Sequence, residues 1–329
     1  MAALSSETPP VLYLLPCLRA SLPFVMSVCL STLWSLELLV RRTHFYFSTV
    51  VGIVMIMAVN CRSLKLASWN VRGLGRNEKC RDVKRALNSC NADFFALQET
   101  KLTTVSHFKA LSFLPPIAQN HTFKPSLGAS GGILSAWSDA TLELLSSTTG
   151  AFFVHSSFSH LMMEASFSVT NVYGPCDHAS KLCFLDSLRS LADSVHGPWI
   201  ILGDFNLIRF PREKSNDNFN NTEADWFNDF INTLCLQDIP LLDRLYTWAN
   251  NQDHPTLCRL DRALVNLDWS NLFPNTTLSS NTRTTSDHVP IVLNASTIVP
   301  KPSIFRFNNH WLYVPSFPPI VAQNWESVN

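Results

Sequence analysis

The sequence lacks the cysteine spacings that hold a structural metal or a disulfide framework. Its nine cysteines are scattered along 329 residues, with no Cys-x-x-Cys pair and no cysteine–histidine cluster of zinc-finger spacing. An odd number of isolated cysteines is typical of a reducing compartment, where free cysteine behaves as a small buried hydrophobe. We therefore expect neither a disulfide scaffold nor a structural zinc site.

Glycine-rich phosphate loops and an activated nucleophile are also missing. Neither the loop of nucleoside-triphosphate sites nor that of dinucleotide sites occurs, so no nucleotide cofactor is expected. No serine or cysteine stands in a nucleophile elbow, which removes support for a covalent acyl-enzyme route. The formal net charge is zero, and no global basic field indicates a nucleic-acid partner. Between Arg62 and Arg85, however, basic residues outnumber acidic ones, which indicates a local basic surface or a solvated helix face.

The composition changes near residue 62. Upstream, residues 20–40 and 44–61 carry almost no charge, and each approaches the ~20 apolar residues that cross a bilayer. They indicate either a membrane segment or a non-native leader joined by an early start codon, with Met57 as a natural start. We predict a hydrophobic N-terminal extension over 1–61, a globular domain over 62–297, and a C-terminal tail over 298–329 that begins a missing downstream region.

Strand and helix patterns alternate from Leu64 onward, and no internal repeat is visible. Short apolar runs, for example 64–71 and 258–265, predict strands. In 178–195, leucines at Leu182 and every third residue after it predict one apolar helix face. Many strands with interspersed helices indicate an α/β protein of stacked sheets.

Polar side chains recur where these predicted strands end. The run "WIILGDFN" passes from four apolar residues into Asp204 and Asn206, which are costly to bury without compensation. Alone, this stretch is either a turn, because Gly, Asp and Asn favour turns, or part of a site. The pattern recurs at Asn70, Glu99, Tyr173 and Asp261, and at Asp287 and His288 at the start of the last strand. We expect these residues to share one rim of the stacked sheets, where α/β folds place their sites.

The residue types on that rim indicate phosphate chemistry. Carboxylates and amides are hard oxygen ligands, which suit Mg²⁺ or Mn²⁺ better than zinc. A histidine beside an aspartate can be held as a charged or donor imidazole, and Asn and Tyr can donate to anionic oxygens. Together these groups favour attack by an activated water on a phosphate ester.

Seven motifs carry this chemistry in chain order: "SWNVRGL", "LQET", "NVYGP", "GDFN", "TW", "RLDR" and "SDHVP". Together they resemble the signature series of the endonuclease/exonuclease/phosphatase superfamily, over roughly residues 64–295. The resemblance implies a four-layer α/β sandwich, with two stacked mixed β-sheets flanked by helices as in DNase I. The domain predicted over 62–297 would have this fold.

Within the superfamily, the spellings are most similar to the endonuclease domain of plant non-LTR, LINE-type retrotransposons. Examples are "LASWNVRGLG", "GPWIILGDFN" and "RLDRALVN", and the tail "FRFNNHWL" resembles the segment that leads toward the reverse transcriptase. One departure concerns Arg72, because apurinic endonucleases usually carry an acid at this place, two residues after Asn70. Arg72 argues against specialised abasic-site repair and implies a thinner metal shell.

The resemblance also implies a role for each matching residue. The metal ligands would be Asn70, Glu99 and Asp287, with Mg²⁺ as the ion and Mn²⁺ as an alternative. The catalytic residues would be Tyr173, Asp204, Asn206, Asp261 and His288. Asp204 would orient or deprotonate the attacking water, and His288, oriented by Asp261, would stabilise the charge of the transition state. Thr247 and Ser286 would be additional phosphate contacts.

The leading hypothesis is a Mg²⁺-dependent DNA endonuclease, a monomeric domain that nicks one strand through a metal-activated water. Two alternatives stay open: a phosphatase or phospholipase of the same superfamily, and an inactive retroelement fragment. The expected location is nuclear or cytoplasmic if residues 1–61 are non-native. It is membrane-associated if residues 20–61 insert.

Overall fold

The computed structural model of the protein describes residues 63–128, 130–250, 252–298 and 313–326. The longer strands are β1 Ser63–Asn70, β2 Phe94–Gln98, β3 Asn120–Leu127, β4 Ser130–Trp137, β5 Leu142–Thr149, β6 Phe153–His160, β7 Ala165–Tyr173, β8 Trp199–Asp204, β12 Asp261–Val265, β13 Asn275–Ser280 and β14 Ile291–Ser296. The two-residue strands are β9 Gln237–Asp238, β10 Trp248–Ala249 and β11 Leu257–Cys258. The α-helices are α1 Asn77–Cys90, α2 His107–Phe113, α3 His178–Ala192, α4 Asn221–Thr233, α5 Leu267–Leu272 and α6 Phe317–Glu326.

The long strands form two six-stranded mixed sheets. The first has the order β13-β14-β1-β2-β4-β3, and the second has the order β5-β6-β7-β8-β12-β9. Each sheet has one parallel pair at its centre, β1 with β2 and β7 with β8, while its other pairs are antiparallel. The strands β10 and β11 form a separate two-stranded sheet.

The two sheets face each other across a shared apolar core. From the first sheet this core takes Leu66 and Phe94, and from the second it takes Phe158, Phe167 and Ile200, all at most 2% exposed. Side chains alternate along a strand, so every second residue of the central strands points into the gap between the sheets. Burial of this apolar area from both sides is the main force that holds the sheets face to face.

Helices cover the outer faces of both sheets. Val83 and Leu87 of α1 and Phe113 of α2 pack with the first sheet's outer residues, and Leu185 and Leu188 of α3 belong to the matching cluster on the second sheet. The arrangement is therefore helix, sheet, sheet, helix. The predicted four-layer α/β sandwich is confirmed.

Some details of the local predictions were wrong. In α3, Leu182 is 41% exposed although it was expected on the apolar face. Nine residues span two and a half turns of an α-helix, so Leu182 lies opposite Leu191 and cannot share its face. The stretch 258–265 is not one strand, because it is interrupted between β11 and β12.

Among the described residues, no helix is both long and apolar enough to cross a bilayer. The hydrophobic segments predicted within 20–61 lie outside those residues. Residues 299–312 of the predicted C-terminal tail also lie outside them. The three-part division of the chain stays a prediction.

Candidate functional site

The ends of the central strands meet at one rim, as the sequence predicts. Tyr173, the last residue of β7, is in register with Asp204, the last residue of β8. Asp204 is in turn paired with Asp261, the first residue of the antiparallel strand β12. Across the gap between the sheets, Asn70 at the end of β1 donates its Nδ2 hydrogen to Asp204 Oδ2 at 2.8 Å. The two sheets are thus joined at the rim by polar side chains.

Two glycines of the motifs allow backbone segments to approach each other closely at this rim. A Cβ atom on Gly203, which has φ +146°, would lie 2.1 Å from the carbonyl oxygen of Val172 in the neighbouring strand. A Cβ atom on Gly174 would lie 2.2 Å from the carbonyl oxygen of Phe205. Both contacts are with backbone atoms, which cannot rotate away as a side chain can. The glycines before Asp204 and after Tyr173 are therefore required by close packing of β7 against the end of β8.

Asp204, Asp261 and His288 form a buried group that we call the inner triad. His288 Nδ1 is 2.8 Å from Asp261 Oδ2, and His288 Nε2 is 3.7 Å from Asp204 Oδ2. All three side chains are at most 5% exposed. His288 does not begin the last strand, because β14 starts at Ile291, and it pairs instead with Trp248 in an isolated bridge.

The inner triad is held charged by its own members. Burial alone would lower the pKa of His288, but Asp261 and Asp204 outweigh it and raise that pKa to about 9. Burial raises the pKa of Asp204 to about 6, and Asp261 adds to this effect while His288 and Asn70 oppose it. Near neutral pH His288 is therefore an imidazolium, with Asp261 on its Nδ1 side and Asp204 on its Nε2 side.

Glu99, which is partly exposed, and Asp287, which is buried, form a second group that we call the outer pair. Tyr173 donates its hydroxyl hydrogen to Glu99 Oε1 at 3.1 Å, and Trp248 donates its Nε1 hydrogen to Asp287 Oδ2 at 2.8 Å. Glu99 stands in the left-handed region at φ +52°, a conformation that is uncommon outside glycine and is found at functional sites. The Arg72 guanidinium contacts both carboxylates, with a hydrogen bond to Asp287 and an ion pair to Glu99 at 3.7 Å.

The outer pair fits a hard divalent cation better than the inner triad does. Glu99 Oε2 is buried and accepts no hydrogen bond within the part of the chain that the structure describes, and the same holds for Asp261 Oδ1 of the inner triad. Asp204, Asp261 and His288 are also close enough to share a metal ion. In that group, however, the imidazolium already offsets one carboxylate charge, and its protonated nitrogens cannot act as ligands. Carboxylate oxygens alone are the ligands that Mg²⁺ and Mn²⁺ prefer, so Glu99 and Asp287 are the better candidates.

The remaining predicted metal ligand and phosphate contacts are arranged around these groups. Asn70 uses its Nδ2 for Asp204, and its Oδ1 accepts the backbone N–H of Arg72 at 3.1 Å. Asn206, at φ +51°, donates its side-chain N–H to the carbonyl of Gly174 at 2.8 Å, and its backbone N–H to Asp204 Oδ1 at 3.0 Å. Burial is the main cause that raises the pKa of Tyr173, so its hydroxyl stays protonated and can donate a hydrogen bond.

Thr247 and Ser286, predicted as phosphate contacts, are both buried beneath the inner triad. The Thr247 hydroxyl accepts the backbone N–H of Asp261 at 3.0 Å. The Ser286 hydroxyl donates to the carbonyl oxygen of Asn70 at 2.7 Å and accepts the backbone N–H of His288 at 3.2 Å. Both hydroxyls therefore support the residues around them, and their contact with a phosphate stays a prediction.

Trp248 and Arg262 contribute to the site in ways that the motifs did not reveal. Trp248 belongs to the "TW" motif, but only its hydrogen bond to Asp287 shows what the indole does. Arg262, next to Asp261 in "RLDR", is fully buried and forms ion pairs with Glu213 and Asp238 behind the rim. A buried arginine is rare unless it is paired, so its partners could not be inferred from sequence spacing alone.

The sequence matches the endonuclease/exonuclease/phosphatase family over residues 67–288, which is more than half of the chain. Comparison with curated proteins gives no significant sequence match.

Solved structures with the same fold include several nucleases. An AP endonuclease from Leishmania major, LMAP, has a TM-score of 0.59 at 17% identity, over 72% of this chain and 89% of that one. The catalytic domain of Xenopus laevis APE2 has a TM-score of 0.55 at 20% identity, over 72% and 94%. The endonuclease domain of TRAS1, a telomere-specific non-LTR retrotransposon, has a TM-score of 0.54 at 13% identity, over 71% and 99%. On the family match and this shared architecture, the chain belongs to the endonuclease/exonuclease/phosphatase family.

Proposed function

We propose that the protein is a metal-dependent phosphodiesterase that nicks one strand of DNA. The observation that carries this proposal is the charged inner triad beside the outer pair. It combines a buried imidazolium, a carboxylate that can accept a proton, and two carboxylates that suit a divalent ion. Metal-assisted hydrolysis of a phosphodiester can use these three functions together.

In this proposal Asp204 takes the proton from the attacking water. Burial raises its pKa to about 6, so it is ionised at neutral pH and still basic enough to accept a proton. The Nε2 hydrogen of His288, together with the side chains of Asn206 and Tyr173, would donate to phosphate oxygens. Such donors stabilise the negative charge that grows on those oxygens in the transition state.

The divalent ion would be held by Glu99 and Asp287, with Asn70 beside them. When bound, Mg²⁺ or Mn²⁺ would neutralise charge on the phosphate. The Asp287 pKa is lowered despite burial, because His288, Trp248 and Arg72 all favour its ionised form. An ionised Asp287 is what a metal ligand requires.

We infer DNA as the substrate from the motif spellings and from the kinds of relatives that share the fold. "LASWNVRGLG" and "RLDRALVN" favour the LINE-type branch, and one similar structure is the TRAS1 retrotransposon endonuclease domain. Arg72 replaces the acid that apurinic endonucleases usually carry, which favours a nicking role over abasic-site repair. The identities of 13–20% show the fold only, so the substrate is part of the proposal.

A plasmid assay with the full chain tests the proposal. We expect conversion of supercoiled to nicked circular plasmid in Mg²⁺ or Mn²⁺, none in EDTA, and conversion slowed by about 10²–10³-fold or more for His288→Gln. A 3′-phosphorylated oligonucleotide, a phosphoinositide and sphingomyelin would be assayed beside the plasmid. Hydrolysis of one of these with an intact plasmid would indicate a phosphatase or phospholipase, and inactivity on all substrates would favour a degenerate retroelement fragment.

A further inference from the structure

The Arg72 side chain contacts both carboxylates of the outer pair. One guanidinium nitrogen donates to Asp287 Oδ2, and Nε lies 3.7 Å from Glu99 Oε2. The latter oxygen is the buried one that accepts no hydrogen bond from the residues described. Arg72 therefore contacts the same two carboxylates that are the best candidates for a divalent ion.

Hydrogen bonds hold the backbone of Arg72 in place, whereas its side chain is half-exposed. Its N–H donates to Asn70 Oδ1 at 3.1 Å, and its carbonyl accepts from Lys79 Nζ at 2.9 Å. The residue is in the left-handed region, at φ +50°. Its side chain is nevertheless 51% exposed, against 14% for Glu99 and 2% for Asp287. The guanidinium can therefore leave the carboxylates toward solvent without repacking the core.

We propose that the Arg72 guanidinium and a divalent metal ion compete for Glu99 and Asp287, so that metal binding requires Arg72 to move off the outer pair. This inference rests on the proposed function, because it assumes that these carboxylates hold the metal. A monovalent and a divalent cation on the same two carboxylates would repel each other strongly in a partly buried site. Each cation also needs lone pairs that the other uses.

This competition would couple metal binding to DNA binding. A guanidinium released at the rim is well suited to a DNA phosphate, which it can bind through two parallel hydrogen bonds. DNA that attracts Arg72 would then free the carboxylates for the metal. Because coupling between two ligands is reciprocal, the metal would favour DNA binding to the same extent.

Mn²⁺ binding to the full chain without DNA tests the competition, with free Mn²⁺ measured by electron paramagnetic resonance. For Arg72→Gln we expect binding about tenfold tighter than for the unaltered protein, since a charge-assisted hydrogen bond to Asp287 no longer has to be broken. Circular dichroism would confirm that each variant is folded.

Two control variants, one of an arginine and one of a lysine, separate competition for the outer pair from a general loss of positive charge. Arg85→Gln removes a charge from an exposed side chain that pairs with Asp82, and its Mn²⁺ affinity should change less than about twofold. Lys79→Gln removes a charge that acts on Asp287 and Glu99 over a distance, together with the hydrogen bond to the Arg72 carbonyl, and its effect should be under about threefold. Among the described residues, the side-chain partner of Lys79 is the Arg72 carbonyl and that of Arg85 is Asp82, and neither is a carboxylate of the outer pair.

The outcomes are distinguishable. Unchanged or weaker Mn²⁺ binding in Arg72→Gln, with binding lost in Glu99→Gln, would overturn the competition and leave the proposed function intact. An equal gain in Arg85→Gln would also overturn it, because a general loss of positive charge would then explain the result. If neither the unaltered protein nor Arg72→Gln binds Mn²⁺, the inference and the metal-dependent function fail together.

Discussion

The inner triad and the outer pair lie side by side, but the cation that balances each of them differs. In the inner triad the cation is a histidine buried between two carboxylates. In the outer pair it is a half-exposed arginine. Each group has one buried carboxylate oxygen without a hydrogen bond among the described residues, Asp261 Oδ1 and Glu99 Oε2. In the proposed competition, the inner triad keeps its cation, whereas the outer pair exchanges its own for a metal ion.

This contrast has a physical basis in desolvation. A buried carboxylate is costly unless it is paired or hydrogen-bonded, so the inner triad must contain its own imidazolium. Asp287 is also buried, but Glu99 is 14% exposed and Arg72 is 51% exposed, so the cation on this side can exchange with solvent. Variants of the two groups should therefore respond differently to added metal.

The largest expected effect is on activity. Asp204→Asn and His288→Gln should each reduce plasmid nicking by about 10²–10³-fold or more, because a preorganised proton acceptor or donor is lost. Glu99→Gln should reduce nicking as strongly at low Mn²⁺. Part of the nicking activity should return at high Mn²⁺, because in the proposed function the metal ion is bound by the outer pair. Initial rates would be measured across an Mn²⁺ titration.

Thermal melts of the same proteins are the control, because a variant that does not fold says nothing about catalysis. Recovery of His288→Gln by added metal, or none for Glu99→Gln, would contradict the division into two halves.

Gly203→Ala should disturb the support beneath the inner triad. The new Cβ would meet the backbone of Val172 at 2.1 Å, and the φ of +146° is also unfavourable for alanine. We expect a loss of about 3 kcal/mol in the free energy of unfolding, from overpacking and backbone strain together. Chemical denaturation would measure it.

The matched control is Gly75→Ala, where the added methyl group meets nothing within 4 Å. Equal stability of the two variants would show that the close approach of β7 and β8 does not need a glycine.

The pH dependence of stability should report the inner triad. The pKa of His288 is raised from 6.5 to about 9 in the folded protein, so its stabilisation is fully present below pH 6.5. It is lost as the pH rises through 9, which amounts to about 3 kcal/mol. Asp204, with a pKa of about 6, is largely ionised across this interval. Denaturation in EDTA at pH 6.5, 8 and 9.5 should therefore show a steeper decline for the unaltered protein than for His288→Gln. Parallel curves would mean that His288 is not held as an imidazolium.

The smallest expected effect concerns Trp248. Trp248→Phe removes the indole N–H that donates to Asp287 but keeps an aromatic ring in place. Loss of one hydrogen bond of about 1 kcal/mol corresponds to a decrease of about fivefold in kcat. Trp226→Phe is the control, because Trp226 stacks on His178 with ring centroids 5.0 Å apart and is not among the site residues. A similar loss of kcat in both variants would show that the Trp248 indole does not support the outer pair.

Much of the fold could be predicted from local sequence. The apolar run before Asp204 forms β8, and the stretch 178–195 contains α3. These predictions succeed because a strand or helix is largely specified by its own residue pattern. The prediction for Leu182 failed because a three-residue spacing drifts around an α-helix.

The candidate site was only partly predictable. The motifs picked out the residues on the rim, because polar side chains after buried strands need a reason to be there. They could not indicate that the Asn70 amide bonds to Asp204 in the other sheet, or that the Thr247 hydroxyl supports Asp261. These contacts depend on strand register and on how the two sheets are stacked, which are properties of pairs of distant segments.

Residue patterns along the chain specify the parts of the site: apolar strands, polar strand ends, and glycines where backbones approach. How the charges are shared depends on the three-dimensional fold. The fold buries His288 between Asp204 and Asp261, and it places Arg72 over Glu99 and Asp287. Electrostatic interactions depend on distance and burial in three dimensions, and spacing along the chain encodes neither quantity.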